Sequence, residues 1–505
     1  QPSGSYDAAW KKIDSLLNKT RLPNSALTEV EKIYAKAKAE KNNAQLIKAL
    51  IYKSNIYELK EEDALLKNIS LMEKEIGSVT DPVRAVVQSI TATMYWKYFQ
   101  ENRWKLYSRT ETVGFKKDDI ATWSVGDFHK KTTELFLASL AKEKLLQQTK
   151  LEPFDPIIEK GNARRLRPTL YDLLAHRALN YFESGESTIT NPSVSFEIDN
   201  PAAFADAATF AATSFATSDT LSPLYVAFQL YQRLIKFHLT DANPEALIDV
   251  DILRLKFVRS NTILENAGEL YENALKQITL KYADQPIATN AWYELAMYYF
   301  QEGSNYSPLQ NPVNRYELLK AKEICERVVA QQPGQKDTTA GWAGCYNLLK
   351  EILKPELSME TEKVNLPGLP FRTLINWRNF TQLHFRLVKI DRKMVDELNS
   401  EGQYSDAYWK KILSLPAYKT FTRELPDTRD HQLHSAEIAI DSLSIGQYAL
   451  IASVDKNFGL ENNPLNVQFF HISNIAWIEK DRDFYVLNRT TGQPLVRASV
   501  QVWYQ

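Results

Sequence analysis

The sequence predicts a multidomain chain in which an α-helical array is followed by an antiparallel β-sandwich. Three observations predict it. Apolar residues recur at helical spacing from Tyr6 to about Leu353. After Lys354 the texture changes: Pro355, Pro367 and Pro370 punctuate the chain, and the apolar spacing drops to two. The 505 residues also give length for about three domains. Composition narrows the class. Only 16 glycines argue against glycine-rich nucleotide folds, and 44% apolar with 24% charged residues exclude wholesale disorder. The 61 basic and 62 acidic residues leave no footprint for nucleic acid. No run of ~18 apolar residues predicts a transmembrane helix.

The first helix carries Ala9, Ile13, Leu16 and Leu17 on one face. After the break at Leu22-Pro23-Asn24, Val30, Ile33, Tyr34 and Ala37 mark a second. A polar turn at Lys41-Asn42-Asn43 precedes a third, with Leu46, Ala49, Leu50 and Tyr57. Helix, short turn and helix at this scale predict an α-solenoid. Between about 110 and 200 the pattern is less regular. Residues 119–123 read as a loop, 130–147 and 169–182 as helices, and 194–198 as one short strand. The clearest repeat lies near residue 270. Tyr271, Ala274, Leu275 and Ile278 share one helix, and Trp292, Leu295, Ala296 and Tyr299 on the next match the tetratricopeptide pattern W-x2-L-[small]-x2-Y. Ala321, Ile324 and Val328 mark its partner. The interval from Pro286 to Pro333 exceeds the standard ~34 residues, and the polar insert 303–314 supplies most of the excess. The small residues are expected to let paired helices approach closely.

Beyond the prolines, Leu383, Phe385 and Leu387 alternate, as do Ala436, Ile438 and Ile440. Residues 445–452 read as a turn and a strand, and 467–472 and 476–478 as further strands, which together indicate an antiparallel sandwich. Residues 394–398 read as a helical turn inserted between strands. Finally, Phe484-Tyr485-Val486-Leu487-Asn488-Arg489-Thr490-Thr491-Gly492-Gln493-Pro494-Leu495 leads into Ala498-Ser499-Val500-Gln501-Val502-Trp503. This reads as a hairpin, with Gly492 in the turn and Pro494 stiffening its exit.

The turn "TTG-x-P-L" followed by "A-x-V-x-V" resembles the second macroglobulin-like domain of the alpha-2-macroglobulin family. Arg378-Asn379-Phe380, Gly446-Gln447-Tyr448 and Ile472-Ser473-Asn474-Ile475 resemble that family's first domains. The long helical region ahead of them resembles its very large members from Bacteroidota cell envelopes. The resemblance is specific over about 366–505 and looser over 1–355. It implies a tetratricopeptide-like array over 1–355, a linker over 356–370, a macroglobulin-like β-sandwich over 371–472 and the start of a second over 473–505. A second sandwich of ~100 residues is not completed by Gln505, so the chain is expected to be the amino-terminal part of a longer protein. The resemblance further implies an exported, non-enzymatic protein of the periplasm or outer-membrane surface. It would bind proteases or outer-membrane envelope proteins and act as an endopeptidase inhibitor. Fully active members carry a thioester within Cys-x-Glu-Gln. Here Cys325 is followed by Glu326-Arg327 and Cys345 by Tyr346-Asn347. The competing reading is a SusD-type surface protein that captures glycans or peptides with an outer-membrane transporter. It would use the aromatics but leaves the sandwich unexplained.

No catalytic, cofactor-binding or metal-binding residues are expected. Cys325 and Cys345, the only cysteines, fall at similar depth on successive helices, where they read as a disulfide or as two buried thiols. Arg164, Arg165 and Arg167 read either as a site for an acidic partner or as a basic loop entering a helix that Thr169 and Asp172 would start. Trp96, Tyr98, Phe99, Trp104 and Tyr107 form the densest aromatic group. Trp96 and Trp104 are its candidates for partner binding, against an inter-repeat core. His431 and His434, the only close histidine pair, lie where a loop enters a strand, which favours hydrogen bonding over metal ligation.

Overall fold

The computed structural model describes residues 4–61, 64–107, 120–159, 161, 163–185, 195–331, 338–481 and 483–501. The chain is helical up to Leu353 and β-sheet from Glu356, the order that the apolar spacing predicts. It forms two compact units, 1–291 and 292–505. The division falls inside a helix rather than at the change of texture.

The first unit opens with α1 (Gly4–Asn18), α2 (Pro23–Ala39), α3 (Asn43–Glu58), α4 (Ala64–Ser78), α5 (Val83–Tyr107) and α6 (Val125–Ser139). Each packs on the next. Pro23 sits in the first turn of α2, where its missing N–H has no intrahelical partner to lose. Asn42 caps α3 by accepting from the Gln45 N–H. There follow α7 (Glu143–Gln148), α8 (Leu170–Phe182), α9 (Ala207–Ala212), α10 (Pro223–His238), α11 (Glu245–Asn261) and α12 (Ala267–Lys281). The helix expected over 130–147 is thus two, α6 and α7. Helix α8 packs on α5, α7 and α10, so the unit is more than a stack of sequence neighbours. Among the described residues of the strand expected over 194–198, no strand forms. Val194 lies outside the described residues, and Ile198 makes only an isolated bridge to Thr262. Phe196 and Ile198 alternate because both are buried, Phe196 against Tyr225 and Phe228 of α10 and Ile198 beside the Thr262 segment that follows α11.

The second unit contains α13 (Ala288–Ser304) from Trp292 onward, α14 (Glu317–Val329) and α15 (Ala340–Leu353). Small residues do mark close approaches here. A Cβ on Gly303 would meet the Leu318 backbone N at 2.8 Å, and one on Gly344 would meet the Tyr293 ring at 2.6 Å. Next come β1 (Glu356–Thr361), β2 (Val364–Asn365), β3 (Phe371–Arg378), β4 (Gln382–Ile390), α16 (Arg392–Ser400), α17 (Asp406–Ser414), β5 (Ala417–Glu424), β6 (His434–Ile440), β7 (Gly446–Ser453) and β8 (Leu465–Ile472). They build a three-stranded antiparallel sheet, β1-β3-β6, and a five-stranded sheet, β2-β8-β7-β4-β5. The second is mixed, not purely antiparallel, because β2 runs parallel to β8. The expected linker 356–370 is therefore corrected: much of it is strand. Met359 and Thr361 point inward from β1, an alternation that the flanking prolines obscure.

The two sheets enclose Ile375, Leu383, Phe385, Ile438, Leu450 and Phe470. The other face of the five-stranded sheet is covered by α16 and α17, through Leu398, Tyr408, Trp409 and Ile412. Covering both faces explains the unbroken apolar run in β7. Tyr448, Leu450 and Ala452 face the other sheet, Ala449 and Ile451 face the helices, and all five are buried.

The chain ends in a separate two-stranded sheet, β9 (Ile475–Lys480) with β10 (Asp483–Asn488). The expected hairpin is shifted by one strand. β10 takes β9 as its partner strand, and past the expected turn the chain returns only as far as an isolated antiparallel bridge, Leu487 to Pro494, with the Leu495 N–H donating to the Val486 carbonyl at 2.8 Å. Gly492 has φ +69°, and the Gly492 N–H donates to the Asn488 carbonyl at 2.8 Å. Residues 498–501 form no strand, and Val502 and Trp503 lie outside the described residues.

Replacing Gly303 with Ala should destabilise the second unit by about 1–3 kcal/mol, because its methyl meets backbone that has no rotamer to yield. Denaturant unfolding measures it, and an unchanged midpoint would contradict the close crossing of α13 and α14.

Candidate functional site

The basic cluster is built into the first unit. Arg164 binds Asp155 at 2.6 Å and Arg165 binds Glu245 at 2.9 Å. These arginines lead directly into α8, whose N-terminus is a capping box. The Asp172 N–H donates to Thr169 Oγ1, while Asp172 Oδ2 accepts from the Thr169 N–H at 2.8 Å and its hydroxyl at 2.7 Å. The helix-start reading of this segment is thus present in the structure, and two of its arginines already hold carboxylates.

Asp172 is fully buried, and its second oxygen meets His238 Nε2 at 2.8 Å. His238 Nδ1 in turn meets Asp241 at 2.7 Å. Burial opposes charge on this imidazole, but the hydrogen bonds and charges of Asp172 and Asp241 outweigh it and leave its pKa raised. His176 lies one helical turn past Asp172, with its Nδ1 2.8 Å from the Asp172 carbonyl. Burial first, then the nearby Arg167 charge, pushes its pKa down to about 4. Its Nε2 is buried without a protein partner. His129 is also pushed down to about 4, by burial, and its Nδ1 lies 2.7 Å from the Tyr181 hydroxyl. A Glu143–Arg233 pair at 2.7 Å, between α7 and α10, stands beside Tyr171 of α8.

The aromatic group divides. Phe99 is core, Tyr98 is half-buried and stacked on Phe128, and Tyr107 is exposed. Trp96 is half-buried, edge-on to Tyr181 at 5.4 Å. Trp104 lies two turns farther along α5 and is 82% exposed, with the Arg103 guanidinium 5.6 Å from its ring. The two tryptophans therefore do not form one platform, and the core reading holds only for the first part of the group.

In the second unit the polar centre is Asp430, fully buried in the loop before β6. It accepts from Arg315 Nε at 2.8 Å, His434 Nε2 at 2.8 Å and the Gln432 N–H at 3.1 Å. Burial would raise its pKa, but these donors win and hold it below the usual carboxylate range. The Gln432 amide donates to the Gly303 and Arg315 carbonyls at 3.0 and 3.3 Å. Asn379 Nδ2 donates to the Ile352 and Lys354 carbonyls at 2.7 and 2.9 Å, so its oxygen receives His431 Nδ1 at 2.7 Å. His431 and His434 thus serve different partners. Among the described residues no group of His, Cys, Asp and Glu is arranged to hold a metal. Asn379, Arg429 and His431 all adopt left-handed backbone, at φ 64°, 53° and 58°. They line one cavity of about 560 Å³ with Lys322, Trp377 and Phe380. Left-handed residues cost on the order of 1–2 kcal/mol each, which the surrounding bonds offset.

The feature that sequence reasoning missed is the exposure of β9–β10. The register places Ile475 and Trp477 on one face with Phe484, and Ile478 on the other with Tyr485. All five are exposed. The signal was present: Ile475-Ala476-Trp477-Ile478 is apolar in both phases, whereas a strand with one wet face alternates. Cys325 and Cys345 are free, buried thiols on the packed helices α14 and α15, and the Cys325 thiol first, then burial, pushes the Cys345 thiol up. Among the described residues no helix is long and apolar enough to cross a membrane. No protein-family model matches the chain, and no curated protein matches it.

Two outcomes follow from these centres. His176 is neutral in the fold and charged below ~6.5 when unfolded, so its contribution is lost as pH falls from about 6.5 to about 4. His176→Leu should therefore remove up to about 3 kcal/mol of the acid-induced loss in that window, read from denaturant midpoints against pH; parallel wild-type and variant profiles would refute it. Arg315→Met should cost the second unit about 1.5–3 kcal/mol by stripping a donor from buried Asp430, again by denaturant unfolding.

Proposed function

We propose that the chain is the amino-terminal part of a cell-envelope protein of the alpha-2-macroglobulin type. It is a non-enzymatic scaffold that binds other proteins, and the role of the whole protein is endopeptidase inhibition. The observation that carries this reading is the β9–β10 hairpin with apolar side chains exposed on both faces. A two-stranded hairpin is marginal in water on its own, and exposed apolar area of this kind marks a surface built to be covered. In this reading further strands complete a second sandwich on it. The two-sheet sandwich ahead of it and the tetratricopeptide-like match at Trp292, Leu295, Ala296 and Tyr299 support the same reading. The helical array then docks the partners, proteases or outer-membrane envelope proteins, and the protein works outside the cytoplasm. With no thioester motif at Cys325 or Cys345, inhibition would rest on segments beyond these two units.

The test uses the full-length gene product. Incubated with an endopeptidase, it should slow cleavage of a large protein substrate severalfold; unchanged cleavage would count against inhibition. A native mature chain ending at Gln505, seen by intact mass, would remove the reading of the hairpin as the start of a second sandwich.

A further inference from the structure

We propose that Cys325 and Cys345 are a disulfide-forming pair that locks α14 to α15 and thereby stiffens the seat of the sandwich. This goes beyond the proposed function and is independent of it. The two are the only cysteines in the chain. Cys325 lies four residues before the end of α14 at Val329, and Cys345 five after the start of α15 at Ala340. Packed as a helical hairpin, these helices bring the two positions level. Both side chains are fully buried on these packed helices, and the neighbouring Cys325 thiol, together with burial, pushes the Cys345 thiol up. Level positions on two packed antiparallel helices are the placement that a disulfide between them requires.

The position gives the bond its consequence. Arg315, which holds Asp430, lies just before α14, and the Ile352 and Lys354 carbonyls, which hold Asn379, end α15. A link between the two helices fixes both anchors relative to one another. The chemistry is thiol–disulfide exchange with a low-molecular-weight disulfide. The thiolate of one cysteine attacks that disulfide, its S–S bond breaks, and one thiolate leaves. The second cysteine, deprotonated, attacks the mixed disulfide, and the other thiolate leaves. Two cysteine thiols are oxidised, one small disulfide is reduced to two thiols, and those take up the two protons. Because both sulfurs are buried, the exchange belongs to folding and not to the finished fold.

The experiment refolds the full chain from denaturant with a glutathione–glutathione disulfide pair, or with a reductant alone. The expected oxidised product is lighter by two hydrogens, takes up no alkylating reagent in denaturant, and yields a 325–345 linked peptide. Its thermal transition for the second unit rises by on the order of 5 °C and falls back on reduction. Cys345→Ser should refold in both buffers with the Tm of the reduced wild type; if that variant does not fold, the reduced wild type is the comparator. Two alkylatable thiols, two glutathione adducts, or a linked product with unchanged Tm would each overturn the proposal.

Discussion

A carboxylate taken out of water must be met by donors, and each unit is fastened at one such group. In the first unit Asp172 caps α8 with one oxygen and holds His238, at the end of α10, with the other. One residue thus sets both the start of a helix and its packing on another. In the second unit Asp430 draws Arg315 and His434 together across 115 and 4 positions of sequence. Remove the charge from either site and its donors, the Thr169 N–H and His238 in one and Arg315, His434 and the Gln432 N–H in the other, lose the acceptor that holds them together. These are constraints on geometry more than stores of net stability, because desolvation consumes much of what pairing gains.

Apolar coverage distributes the remaining work. The five-stranded sheet is closed on one face by a second sheet and on the other by α16 and α17, so its central strand can be apolar throughout. The β9–β10 hairpin has the same two-phase apolar pattern with neither cover. The same composition therefore reads as core in one place and as a surface awaiting a partner in the other. The difference lies entirely in what packs against the strand.

Periodicity made the order of helix and sheet readable. Helices α1 to α3 stand where Ile13, Val30 and Leu46 place them, and Thr169 with Asp172 announces α8. What stayed hidden is non-local. Nothing in the local pattern says that Asp172 will meet His238, or that a loop at 427–434 will grip the carbonyls of Gly303 and Arg315. Strand β1 was masked by its flanking prolines, and β2 is only two residues long. Helix α17 escaped notice because Tyr408, Trp409 and Ile412 make too short a stripe for a confident period. The tryptophans grouped by sequence were separated by helix geometry, since Trp104 projects two turns beyond Trp96.

The bonds from Gln432 to Gly303 and from Asp430 to Arg315 span well over 100 residues. A chain emerging from the ribosome therefore makes the end of α13 and the approach to α14 long before the loop that takes up the Gly303 and Arg315 carbonyls and the Arg315 guanidinium. The parallel pairing of β2 with β8 imposes the same delay, since Val364 waits for His471. The second unit consequently has high contact order and closes late, with apolar strand surface uncovered during the interval. Its vulnerable period is its synthesis, and a cell that makes it benefits from shielding that nascent stretch until residue 472 has cleared the exit tunnel.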